Sequence, residues 1–160
     1  MKKIEIASKA TLFENLEELF SEDRMLMNKA IQARKNAYAP YSKFSVGAAI
    51  LLENKEIICG NNQENAAYPS GMCAERVAVW KAGSEYPNVK IIKIAITASS
   101  SITKVDKPVG PCGACRQSLS EYEIKQKQHF EILFMGETGQ IIKTTSLQSL
   151  LPFSFDSSYL

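Results

Sequence analysis

At 160 residues the chain has the size of one ordinary domain, enough to bury a core without disulfide or metal staples. Apolar residues make up 45% and charged residues 22%, the balance of a globular chain rather than a disordered one. A formal charge of +2 is too small to imply nucleic acid or an anionic membrane as a partner.

The Met1-Lys2-Lys3 start leads into alternating hydrophobicity, and no apolar run approaches the length of a membrane span. Neither a signal peptide nor a transmembrane helix is expected, so the cytoplasm is the default location. Four cysteines without export signals point to metal or catalysis rather than to a disulfide framework.

In chain order, the alternation over residues 2–7 predicts a short edge strand or an arm lying on a neighbour. A weak stripe of Phe13, Leu16, Leu19 and Phe20 precedes a firmer helix from Ser21 to Tyr38. Ser21 is placed as its N-cap, Glu22 and Asp23 suit the positive end of the helix dipole, and Pro40 stops it. Leu26, Ala30, Ala33 and Ala37 recur at helical spacing. Residues 44–52 read as a buried strand that turns at 53–55 into a partner strand over 56–59. A polar loop over 60–71 leads into a helix over 73–83, with Val77 and Trp80 available to the core and Gly83 as its stop. A strand over 91–98, a loop over 99–110 and a helix over 112–122 follow. Two strands, 130–135 and 140–144, flank the turn at 136–139, and a helical turn is expected at 146–151. Helical connections around a buried sheet predict an α/β domain, a three-layer α/β/α sandwich with a mixed sheet of about five strands.

The chemistry concentrates in Cys73-Ala74-Glu75-Arg76 and Pro111-Cys112-Gly113-Ala114-Cys115-Arg116-Gln117. Taken alone, Cys112 and Cys115 fit a redox pair, half of a structural zinc site, or chance. Adding Cys73 at a second helix start places all three thiols where backbone amides and the helix dipole favour thiolate. Three protein ligands leave a fourth position on Zn²⁺ for water, the mark of a catalytic site. Glu75, two residues after the first ligand, is placed to move protons rather than to bind the metal. Arg76 is expected to draw charge from the ligand sulfurs, with Arg116 as a second candidate for that task. The bland reading of Arg76 is a surface salt bridge. Cys59 reads as strand core and His129 as surface.

A carboxylate two residues after the first ligand, followed by Pro-Cys-x-x-Cys, is similar to the zinc deaminase signature, with cysteine in place of histidine at the first ligand. From about Ala37 onward the chain resembles the small, three-cysteine class of cytidine deaminases. The matching stretches are Ala39 to Ala49, Asn62 to Pro69, Cys73 to Arg76, Pro111 to Gln117 and Leu150 to Pro152. The resemblance implies hydrolysis of cytidine and 2′-deoxycytidine to the uridines in pyrimidine salvage, with one zinc per subunit on Cys73, Cys112 and Cys115. It makes Glu75 the proton shuttle and sets the Ala74 amide near the base carbonyl. Asn62 and Glu64 would hold the ribose hydroxyls, and Phe44 would pack on the pyrimidine unless it is plain strand core.

The resemblance also implies a homotetramer whose sites neighbouring subunits complete, through Phe155 or its competitor Phe153. The whole chain reads as a single domain with an extra arm over 1–20, a tail over 150–160 and a longer loop around 99–107. Three rival readings stand beside it: a blasticidin S-type deaminase, a polynucleotide deaminase, and a structural zinc or redox module that binds another protein. The Asn62–Asn65 segment favours an ordinary nucleoside, and the near-neutral charge opposes a polynucleotide. Cys59 is poorly placed as the fourth ligand a closed site would want.

Overall fold

The computed structural model describes residues 1–160. Its strands are β1 (Thr11–Phe13), β2 (Phe44–Leu52), β3 (Ile57–Asn61), β4 (Ile91–Ser100), β5 (Glu131–Met135) and β6 (Ile141–Thr144). Its helices are α1 (Ser21–Arg34), α2 (Ala74–Glu85) and α3 (Gly113–Lys125). They form one sheet in the order β1-β6-β5-β4-β2-β3. Only β4 and β5 pair in parallel.

The central strands β2 and β4 are apolar along most of their length because both faces of the sheet are covered. Alternate residues serve opposite layers. Ala48, Ile50 and Leu52 face α2 and α3 together with Ile94, Ile96, Leu119 and Ile132. Ala49 and Leu51 face α1, where Leu26, Met27 and Ala30 pack with Ala95, Leu133 and Met135. This is the expected three-layer arrangement with a mixed sheet. No helix is long and apolar enough to cross a membrane.

Several expectations need correction. The sheet has six strands rather than about five, because residues 11–13 pair with β6 at one edge. The strand anticipated over residues 2–7 does not form; those residues are exposed, while Phe13 and Leu16 pack under α1. Helix α1 is capped by Phe20, so Ser21 is its first helical residue. It ends at Arg34 because Tyr38 is drawn to the polar loop, donating to Asn62 O at 2.9 Å and accepting from Glu64 N at 2.9 Å. Gly83 does not stop α2. It makes room for a crossing ring, since a Cβ there would lie 2.5 Å from Tyr122 Oη. Trp80 is 44% exposed rather than in the core.

Topology fixes where a site can form. β2 is antiparallel to both β3 and β4, so those two strands run the same way. The loops that follow them therefore emerge at one end of the sheet and deliver the N-termini of α2 and α3 side by side. The crevice beyond the carboxyl ends of parallel strands is the usual ligand site of such sheets.

Candidate active site

Cys73 and Cys112 are the N-cap residues of α2 and α3, and neither thiol caps its own helix. Their sulfurs turn toward one another and toward Cys115, which is fully buried in the first turn of α3. All three Sγ atoms lie within 4.8 Å of each other, and Cys112 and Cys115 are 3.5 Å apart. Tetrahedral zinc with Zn–S bonds of about 2.3 Å needs sulfurs roughly 3.8 Å apart, so the trio fits that ion with little adjustment. Cys112 is exposed and Cys73 half-buried, which leaves the cluster open toward the adjoining cavity.

The electrostatics fit a cation-binding cluster. A hydrogen bond from Cys115, followed by the Arg76 guanidinium, pulls the Cys73 thiol down to about 5. The Cys73 thiolate and burial push Cys115 in the opposite direction. Arg76 Nη2 donates to Cys73 Sγ at 3.6 Å, and its guanidinium carbon lies 5.8 Å from the centre of the Trp80 ring. Arg76 thus sits against the Cys73 sulfur. Arg116 does not. Its Nε donates to Pro111 O at 2.8 Å and its Nη1 to Leu150 O at 2.9 Å, which ties the start of α3 to the C-terminal segment.

Glu75 is 4% exposed and lines the cavity beside Cys73. Burial raises its carboxyl above the ordinary range. A buried carboxyl whose pKa is raised in this way suits general acid–base work.

The cavity measures about 700 Å³. Its lining includes Cys73, Glu75, Arg76 and Cys112 together with Phe44, Val46, Asn62 and Glu64. Asn62 is tightly braced: Nδ2 donates to Phe44 O at 2.9 Å and Oδ1 accepts from Val46 N at 2.7 Å. One Nδ2 hydrogen remains for a ligand. Glu64 Oε2 accepts from the amides of Tyr41 at 2.9 Å and Ser42 at 3.2 Å, and the Ser42 hydroxyl donates to Oε1. These bonds, the Ser42 hydroxyl first, hold the Glu64 carboxyl below its ordinary range.

Ala74 is fully buried as the first residue of α2, between Cys73 and Glu75. Phe155 does not line this chain's own cavity; its carbonyl accepts from Gln117 Nε2 at 2.8 Å and its exposed ring stacks on Tyr159 at 5.6 Å. Phe153 is also exposed. Sequence reading singled out neither Ser42 nor the pair Tyr41 and Tyr68, whose rings meet at 6.1 Å on the cavity rim. Only their position inside matching stretches hinted at them. Cys59 packs half-buried against the α1 layer, away from the other thiols.

Residues 20–130 match the family described as the cytidine and deoxycytidylate deaminase zinc-binding region. The chain belongs to that family. A cytidine deaminase from Halalkalibacterium halodurans is 40% identical over 132 residues, covering 82% of this chain and 92% of the relative. One from Sporosarcina psychrophila is 38% identical over 135 residues, covering 84% and 92%. The crystal structure of cytidine deaminase from Burkholderia pseudomallei superposes with a TM-score of 0.71 at 34% identity, covering 86% of this chain and all of that one. Family membership and the three-thiol cluster agree on a metal-dependent hydrolase.

Proposed function

We propose that the chain is a cytidine deaminase that hydrolyses cytidine and 2′-deoxycytidine to the corresponding uridines and releases ammonia, in pyrimidine salvage. The observation that carries this reading is the convergence of Cys73, Cys112 and Cys115 next to a nucleoside-sized cavity that the buried Glu75 helps to line. Cys73, Cys112 and Cys115 hold Zn²⁺, which when bound supplies Lewis-acid activation of water.

Glu75 takes the proton of the attacking water and passes it to N3 of the cytosine ring as the oxygen adds at C4. It then carries the second proton to the departing amine, so that water and cytidine become uridine and ammonia. Phe44 packs on the pyrimidine face, and the Ala74 amide lies toward the base carbonyl. Asn62 and Glu64 receive the ribose hydroxyls, which favours nucleosides over free bases. Arg76 offsets the charge of the thiolates.

The assembly is a homotetramer in the cytoplasm, and the tail over 150–160 carries Phe155 to a neighbouring subunit's cavity. Its exposed ring and its absence from the chain's own cavity support that reading. The residue 1–20 arm and the globular remainder form one domain.

The test is ammonia release by zinc-loaded protein from cytidine, deoxycytidine, cytosine, blasticidin S and a single-stranded cytosine oligonucleotide. Release from the two ordinary nucleosides alone is expected. Release chiefly from another substrate would overturn the pocket assignment, and no release with zinc retained would overturn the enzymatic reading.

A further inference from the structure

The backbone of Phe44 is gripped from both sides by cavity side chains. Its amide donates to Ser42 Oγ at 3.0 Å, and its carbonyl accepts from Asn62 Nδ2 at 2.9 Å. Ser42 in turn donates its hydroxyl proton to Glu64 Oε1. One hydroxyl therefore joins the strand that presents the aromatic ring to the carboxylate on the opposite loop.

The turn that makes this possible is strained. Lys43 has φ 56°, a left-handed conformation that costs a side-chain-bearing residue roughly 1 kcal/mol. Its backbone is pinned nonetheless, with its amide donating to Ala39 O at 3.1 Å and its carbonyl accepting from Ser101 N at 3.1 Å. A strained residue held by its surroundings at a cavity wall is a common sign of a set geometry. Glu64 keeps acceptor capacity beyond the three loop bonds, since an ionised carboxylate offers about four lone-pair sites.

We propose that Ser42 is a positioning residue for sugar recognition: it aims the Glu64 carboxylate at the ribose and fixes its spacing from Phe44. This rests on the reading of Glu64 as a ribose partner given above. Alanine at this position would release Oε1, leaving the carboxylate held only through Oε2 by the Tyr41 and Ser42 amides, and would leave the Phe44 amide without its partner. Threonine would keep the hydroxyl.

The test compares wild type, Ser42→Ala, Ser42→Thr and Glu64→Gln, all zinc-loaded. It measures calorimetric dissociation constants for uridine and for 2′,3′-dideoxyuridine, which lacks the 2′- and 3′-hydroxyls, and KM and kcat for cytidine. Ser42→Ala is expected to weaken uridine about threefold to tenfold, the worth of one hydrogen bond, and dideoxyuridine by less than about twofold. The loss on cytidine falls on KM rather than kcat, and Ser42→Thr restores it. Equal weakening of both ligands by Ser42→Ala, or of neither, while Glu64→Gln still discriminates between them, would overturn the role of Ser42 alone. Equal weakening of both by Glu64→Gln would overturn the ribose reading, and this proposal with it.

Discussion

Gly60 on β3 and Ala74 on α2 meet backbone to backbone. A Cβ on Gly60 would lie 2.6 Å from Ala74 O and 2.6 Å from Ala78 N. Neither atom is the end of a flexible side chain, so any side chain here pushes the start of α2 off the sheet. Cys73 immediately precedes that start. Gly60→Ala is therefore expected to cost about 1–3 kcal/mol in stability and to lower bound zinc. Urea denaturation with metal analysis checks both; wild-type values for each would contradict the packing argument.

Glu75 separates a catalytic site from a structural one. Glu75→Gln keeps the shape but cannot accept the proton of an attacking water. Turnover of cytidine should fall about a hundredfold to ten-thousandfold, with zinc content unchanged. Thermal stability should hold or rise, because burial already disfavours the charged carboxylate. Turnover within a few-fold of wild type would remove Glu75 from the mechanism.

The three clustered thiols and Cys59 should part company on substitution. Cys115→Ser is expected to lose metal and turnover together, whereas Cys59→Ser, on the α1 face of the sheet, keeps both. Dialysis against a chelator should lower the unfolding temperature of the wild type, and added zinc should restore it in a concentration-dependent way. An unfolding temperature blind to zinc would count against the cluster as a metal centre.

Acid stability should depend on Asp23. This fully buried carboxylate accepts from Lys93 at 2.6 Å and Lys143 at 2.8 Å, and Glu131 lies 3.3 Å and 2.8 Å from the same two ammonium groups. Burial alone would raise Asp23, but the two lysines outweigh it and the net shift is downward. A depressed carboxyl contributes stability that is present above its unfolded value of about 4 and lost as pH falls through the lower folded value. Asp23→Asn should cost about 3 kcal/mol at neutral pH and flatten the acid limb of the stability curve. A variant whose acid limb matches wild type would show that other groups govern it.

Legibility followed the range of the interactions. Strands β2 and β4 stood out as apolar runs because each is covered on both faces. The metal-binding halves were legible because helix starts and cysteine spacing are local. β1 was not, since a strand of three residues exists only through its pairing with Lys143, Ile142 and Ile141 far along the chain. Arg116 could not be told from Arg76 until the fold put Leu150 O within its reach. Ser42 was not singled out, because its contact with Glu64 spans a loop that no period in the sequence encodes.

The crossover of α2 from β3 over β2 to β4 bears on the order of assembly. Cys73 cannot meet Cys112 and Cys115 until β4 has zipped onto β2 and carried the start of α3 to the same end of the sheet. The ion thus ties two helix starts across the β4 crossover rather than stapling a local turn. A chain that holds zinc has already paired β4 with β2, whereas β5, β6 and β1 lie beyond that circuit, so metal uptake serves as a readout of the central sheet alone.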